Sequence, residues 1–473
     1  MPQACYNEIV MKTVSQRKLN PWQYLAVGFL LTILIGAGLL CLPFATRSGE
    51  RTTFVGALFT STSATCVTGL IQYDTNLHWS TFGQFVILCL IQLGGLGFMT
   101  FVSIALSAVG KRMGMYETKV LMLSAGEERR SELKRLFRRI LFGTLLFEGV
   151  GALLLSISFV PDFGWGRGLY YAVFHAVSAF CNAGFDLMGG TFGQGSFVSL
   201  THYATDPIVS VVVPLLILTG GLGFCVWDDL LEKKFRYKKL ALHTKVVLWM
   251  SAIIVAIPTL LFLLFEWNSP ALAQYGFFER LLVAFFSAVT PRTAGFNTVD
   301  LNALSPMGYL LTVVLMFVGG SSGSTAGGIK ITTVAIIVMG MLSVFRGKED
   351  IHVCKRRVEN GLLKQALTVF VAFLFIAFTA IFALLYMENG NPKMQELAAQ
   401  NLLLKQIVFE VFSALGTVGL TLGCTPLLTT GSKLILIVLM YVGRVGILTI
   451  GLSVAKAKSS AQIKRPVENI LIG

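Results

Sequence analysis

Apolar residues fall in long blocks along this chain, and most charged residues fall between the blocks. Residues 22–43 form the first block, long enough to cross a hydrocarbon core of ~30 Å as a helix. A second block at 81–109 ends at the basic pair Lys111-Arg112. Between the two lies a shorter run at 54–65, predicted as a short helix, and then a turn at 66–70. The unit is therefore helix, short helix with loop, helix. It recurs with long blocks near 136–160, 244–267 and 364–387. The second long helices repeat as well: LIQLGGLGF at 90–98 returns as LILTGGLGF at 216–224, and MFVGG at 316–320 and MYVGRVG at 440–446 hold the same place in units three and four. A long-period repeat decides architecture before other features do.

The loops of the four units share a pattern of their own. SATCVTGL at 63–70, SAFCNAGF at 178–185, SAVTPRTAGF at 287–296 and SALGTVGL at 413–420 each run Ser-Ala, a spacer, and one glycine followed by Leu or Phe. Serine to glycine is six residues in three copies and eight in the third, where Pro291 and Arg292 look inserted. The fourth copy contains Thr417-Val418-Gly419, the T-V-G of a potassium selectivity filter. A dehydrated monovalent cation is held by backbone carbonyls that replace its hydration shell. Aiming successive carbonyls at one axis takes positive φ, which glycine adopts without steric cost. The run before each glycine suits a short pore helix, whose C-terminal dipole end favours a cation. The candidate filter is Val67, Thr68, Gly69 and Leu70; Asn182, Ala183, Gly184 and Phe185; Thr293, Ala294, Gly295 and Phe296; and Thr417, Val418, Gly419 and Leu420, with K+ on their carbonyls. A single copy would read as small-residue helix packing; four in register read as a pore. The fold class predicted is an all-α polytopic membrane protein, with four helix–pore loop–helix repeats around a pseudo-fourfold axis, eight spans and four re-entrant pore loops.

Composition agrees: 55% of residues are hydrophobic and 13% charged, and mean hydropathy is +0.73. The net charge of +14 does not point to nucleic acid, because 28 of the 38 Lys and Arg fall in 1–21, 111–139, 233–245, 346–364 and 456–465. These are the tails and the connections between repeats, and the positive-inside rule makes them cytoplasmic. The expected division is a tail at 1–21, repeats at 22–110, 136–232, 244–345 and 364–455, linkers at 111–135, 233–243 and 346–363, and a tail at 456–473. Each repeat starts and ends inside, so the four are parallel. The chain is expected in the cell membrane, multi-pass, with both termini cytoplasmic. The eight cysteines include no C-x-x-C pair and read as small core residues. No paired carboxylates, nucleophile with His, or metal cluster recurs at usable spacing, so an enzyme is not expected.

Some residues break the repeat. The last helix of unit three would run from 306 to 345, roughly 60 Å at helical rise and about twice the hydrocarbon core. It is interrupted by Gly319, Gly320, Ser321, Ser322, Gly323, Ser324, Thr325, Ala326, Gly327 and Gly328. Irregular backbone at membrane depth survives where protein or a water-filled cavity satisfies it, and a loop beneath the filter meets that condition and would plug the pore. A passive kink is the plainer reading, and a phosphate loop fails because no G-K-[ST] is present. Arg444 stands in the fourth inner helix where the others have glycine. An intramembrane arginine costs ~2.5 to 3.5 kcal/mol on the insertion scale and faces a cavity or a partner. We expect a pore-facing charge that joins the loop in a gate; an ion pair, with Glu148 as partner, is the alternative. Asp74, Asp186 and Asp300 follow filters one, two and three and are candidates for a cation-concentrating outer mouth. Arg292 is unexpected beside a cation path, and His175 reads as a packed helix residue.

These motifs, with the GGSSGSTAGGIK loop and the YVGRVG arginine, resemble the Trk/Ktr/HKT superfamily of potassium transporters over almost the whole chain. The likeness is greatest to its KtrB branch, the membrane subunits of bacterial Ktr systems; the two extra N-terminal spans usual in Trk-type subunits are absent here. The resemblance implies a homodimer, an intramembrane gating loop in repeat three, a cytoplasmic nucleotide-binding ring of the KtrA type as regulator, and Na+-dependent K+ uptake. By the family's pattern, glycine at all four filter positions goes with K+ preference, and this chain has Gly69. Cys66 departs from the Thr or Ser often found there. Two mechanisms stay open: a gated K+ pore, and a stoichiometric Na+/K+ symporter with alternating access.

Overall fold

The computed structural model describes residues 21–97, 130–348, 350–353, 356–395, 399–400 and 402–454. Most of the linker at 111–135, both tails and the second half of the 81–109 block lie outside them. Repeat one contains α1 (Pro21–Leu40), α2 (Phe54–Thr65) and α3 (Thr81–Leu96). In repeat two, α4 (Arg130–Phe180) holds the outer and the short helix in one hydrogen-bonded run, broken by Gly164 at φ 76°. It is followed by α5 (Pro207–Leu222) and α6 (Phe224–Glu232). Repeat three has α7 (Leu242–Phe265), α8 (Phe277–Val289), α9 (Pro306–Phe317) and α10 (Ile331–Phe345). Repeat four has α11 (Asn360–Glu388), α12 (Leu403–Gly416), α13 (Thr430–Val445) and α14 (Ile447–Val454). A small hairpin, β1 (Ile351–Val353) with β2 (Arg356–Val358), sits in the linker before α11 and is the one departure from an all-α reading among the described residues.

By length and hydropathy four helices are able to cross a membrane, Gln23–Leu40, Arg138–Phe180, Leu242–Phe265 and Gly361–Glu388. They open the four repeats. Their outward side chains are apolar, as lipid requires: Leu153, Leu264 and Phe382 are each more than half exposed.

The inner helices correct one expectation. Only the third was expected to be interrupted, yet all four stop. In repeats one, two and four the helix ends at Gly97, Gly223 and Gly446, at φ 82°, 97° and 91°; in repeat three α9 ends a turn sooner, at Phe317. After Gly223 the chain bends by 88° into α6. The glycines just before the stops in repeats one, two and four explain the packing. A Cβ on Gly443 would collide with the carbonyl of Leu415, and one on Gly94 or Gly220 would collide with the carbonyl of Thr65 or Phe180. In repeats one, two and four the inner helix therefore lies with its backbone against the last turn of the short helix of its own repeat, an approach that only glycine permits.

Candidate functional site

The short helices α2, α8 and α12 and the last turns of α4 converge with their C-termini on one point. The four glycines that follow them meet there in a closed cycle. A Cβ built on Gly69 would lie 2.5 Å from the carbonyl oxygen of Ala183, on Gly184 2.6 Å from that of Ala294, and on Gly295 2.7 Å from that of Val418. On Gly419 it would strike the carbonyl of Thr68, which returns the contacts to repeat one. The residue before each glycine thus presents its carbonyl to the glycine of the preceding repeat, in the order one, two, three, four.

A second feature repeats with the glycines. Val67, Asn182, Thr293 and Thr417 have φ of 55°, 60°, 65° and 52°, each two residues before its glycine. Asparagine tolerates this region; β-branched Val and Thr do so only under strain held by the surroundings. The strain buys direction, since two left-handed residues in three turn the intervening carbonyl toward the cycle.

Hydroxyls of the short helices hold these turns. Ser63 Oγ accepts the amide of Gly69 at 3.1 Å and Ser413 Oγ that of Gly419 at 3.1 Å, whereas Ser178 Oγ donates to the carbonyl of Phe185 at 2.7 Å. In repeat three the hydroxyl that donates to the matching Phe296 carbonyl belongs to Thr290, not to Ser287. The backbone agrees: Thr68, Ala183 and Val418 donate to the carbonyls of Ser63, Ser178 and Ser413, and Ala294 donates to Thr290. The third loop is thus anchored at Thr290. Measured from its anchor it is one residue shorter than the others, not two longer.

Beneath the cycle, residues 318–330 form the break in repeat three. Ser321 N and Thr325 N donate to the carbonyls of Gly221 and Gly220 at 2.9 and 3.3 Å, so the loop satisfies carbonyls that the end of α5 leaves unpaired. Thr325 Oγ1 also donates toward Asn182 Oδ1 at 3.0 Å and Phe180 O at 3.2 Å. A Cβ on Gly327 would collide with the Thr417 side chain, which puts the loop directly against filter four. Arg444 donates through Nη1 to the carbonyl of Thr325 and through Nη2 to that of Gly94, with Gly95 O at 3.3 Å. Its guanidinium joins the stop of α3 in repeat one to the loop of repeat three. The alternative partner is corrected: Glu148 accepts from Gln92 Nε2 at 3.0 and 3.3 Å, and among the described residues it makes no ion pair with Arg444. Lys330 donates to the Ala326 carbonyl at 2.7 Å.

The three outer acids are all engaged with backbone. Asp74 is buried and accepts the amides of Asn76, Leu77 and Phe197; Asp186 accepts that of Met188 at 2.9 Å; Asp300 caps a turn through the amide of Asn302. They order the loops above the filters. Arg292 is buried, with Nε and Nη1 lacking hydrogen-bond partners. His175 is packed, as expected. Among the described residues no group of three or more His, Cys, Asp and Glu is arranged to hold a metal.

Comparison with known proteins agrees with this geometry. Residues 20–465 match the TrkH family of cation transport proteins. The chain is 43% identical to the potassium/sodium uptake protein NtpJ of Enterococcus hirae over 98% of its own length and 100% of that protein's. It is 40% identical to the Ktr system potassium uptake protein B of Bacillus subtilis, over 98% and 99% of the two chains. The crystal structure of the potassium transporter TrkH from Vibrio parahaemolyticus is similar in fold, with a TM-score of 0.69 at 17% identity, covering 94% of this chain and 86% of the other.

Proposed function

The chain belongs to the TrkH family of cation transport proteins, and from that premise we propose that it takes K+ into the cell through the ring of carbonyls. The observation that carries this is the closed cycle of Gly69, Gly184, Gly295 and Gly419, each against the carbonyl of the next repeat. Such a ring replaces a hydration shell. In this reading the protein crosses the cell membrane with eight spans and four re-entrant loops about a pseudo-fourfold axis, and both termini are cytoplasmic. The loop at 319–328 and Arg444 form the gate: the guanidinium puts a positive charge below the ring and donates to a loop carbonyl, so backbone and charge close the path together. The names of its relatives support K+ as cargo, one of them with sodium beside it; Na+ as coupling or activating ion is carried by the resemblance of the motifs. The second name also supports membership of a Ktr-type system; the homodimer and the cytoplasmic nucleotide-binding ring are carried by the resemblance of the motifs.

A continuous axial ring favours a gated pore over a stoichiometric Na+/K+ symporter. Purified protein in proteoliposomes tests this. A pore reverses K+ flux when the K+ gradient is inverted without Na+; flux that requires Na+ on the same side in fixed ratio supports the symporter and overturns the pore.

A further inference from the structure

The short helices carry different residues three positions before their anchoring hydroxyls: Thr60, His175, Ser287 and Glu410, in repeats one to four. Two of them reach beyond the filter. Glu410 is fully buried, and every donor to its carboxylate comes from the segment leaving filter four. Thr421 Oγ1 donates to Oε2 at 2.8 Å, Cys424 Sγ to Oε2 at 3.4 Å, and Thr425 Oγ1 to Oε1. No cation pairs with it among the described residues. His175 is also fully buried, and its Nε2 accepts the amide of Leu187, three residues after Gly184, at 3.3 Å. Its Nδ1 lies 2.7 Å from the Tyr171 carbonyl, which can only accept, so the imidazole is neutral with its proton on Nδ1.

The other two positions do not reach. Thr60 Oγ1 turns back to the Gly56 carbonyl of its own helix. Ser287 makes no hydrogen bond to the segment after filter three, and lines a water-sized cavity with Thr290, Asn297, Thr298 and Leu420 instead. Repeats two and four are diagonal in the cycle, so these struts from the short helices stand on two opposite sides of the ring, whereas the segment leaving filter three is held from the repeat-two loop, where Asn297 N donates to Ser199 Oγ at 3.2 Å. A brace matters where carbonyls must not close on a smaller ion, because a ring free to contract loses its preference for the larger one.

We propose that Glu410 and His175 are positioning residues for ion selectivity, two struts on opposite sides of the ring that fix the segments leaving filters four and two. This rests on the filter reading above.

The test uses the full chain in proteoliposomes, with K+ and Na+ uptake measured on the same preparation. Glu410→Gln should lower the K+/Na+ uptake ratio roughly tenfold, the scale of one lost hydrogen bond to a charged group. It should raise the K+ concentration for half-maximal uptake and leave the maximal rate within about twofold. The pair Thr421→Val with Thr425→Val should reproduce that loss from the other side, Thr421→Ser with Thr425→Ser should restore the wild-type ratio, and Glu410→Gln with the valine pair should add little, since all act through one contact. His175→Phe should give a smaller loss in the same direction. If Glu410→Gln does not fold, the valine pair decides. An unchanged ratio in folded Glu410→Gln or in the valine pair overturns the proposal. Gly419→Ser separates the two readings: if it alone changes the ratio, the struts are wrong and the filter stands; if it too leaves the ratio unchanged, both fall.

Discussion

Gly69 shows what one residue decides. A Cβ there would lie 2.5 Å from the Ala183 carbonyl and 3.2 Å from Gly184 Cα, both backbone, and φ is 91°. Neither contact yields cheaply, so Gly69→Ser should shift the repeat-two strand of the ring. In uptake assays we expect a lower K+/Na+ ratio and a higher K+ requirement, by about an order of magnitude if the strain is ~1 to 3 kcal/mol. Unaltered kinetics would remove the ring from the transport path. Asp186 offers a test outside the ring. Burial is the main cause that pushes its carboxyl up to about 7, and Asp74 adds to it against the opposing Met188 amide. The folded protein therefore prefers the protonated acid. The stability this contributes is present in full below the unfolded value near 3.8 and is lost as pH rises through about 7. Thermal melting of the detergent-solubilised protein should fall between about pH 4 and 7 and level off above it, and Asp186→Asn should flatten that slope; an identical slope in the variant refutes the assignment.

At the scale of the element, the loop after α9 is coupled to two other repeats. Its amides cap α5, its Thr325 carbonyl receives Arg444, and its glycines lie against filter four. Deleting residues 321–325 removes no large apolar side chain, so the packed helices should survive while K+ flux rises. Arg444→Ala should move flux the same way, and the double change should add little. Flux at or below wild type in a well-expressed deletion would make the segment a structural kink. The deletion also uncaps the Gly220 and Gly221 carbonyls, which water in an opened path would satisfy.

For the whole molecule, the charge lies where the repeats are joined. Lys234, Arg236, Lys238 and Lys239 are all exposed at the end of repeat two, and Arg356 and Arg357 are exposed on the hairpin before repeat four. A cytoplasmic placement of these linkers, by the positive-inside rule, would account for their sign. A regulatory ring of acidic or nucleotide-bearing surface would use them for docking. Reversing the four charges at 234–239 should weaken co-purification of a cytoplasmic subunit, most visibly at low salt, where unscreened charges act over tens of ångströms. Equal recovery at every salt concentration would leave only the topological role.

The sequence by itself determined the repeat, the outer spans, the four glycines, the interrupted third inner helix and the anomalous arginine, because each is a matter of local composition: apolar length, missing side chains, a charge among apolar neighbours. The tertiary structure decided what depends on a neighbouring repeat. Gly97, Gly223 and Gly446 looked like small residues in continuous spans, and they end helices because each takes a positive φ that breaks the helical ladder. Thr290 replaced Ser287 as an anchor because hydrogen-bond register is set across the turn and not by the Ser-Ala spelling. Arg444 found carbonyls of repeats one and three in place of Glu148, since helix ends leave acceptors that apolar patterning does not reveal. Nothing in the sequence set Glu410 apart, because Thr421, Cys424 and Thr425 come back over it only on folding. A chain records the length and polarity of its pieces directly, whereas the partner of a buried polar atom is fixed only when pieces distant in sequence close around it.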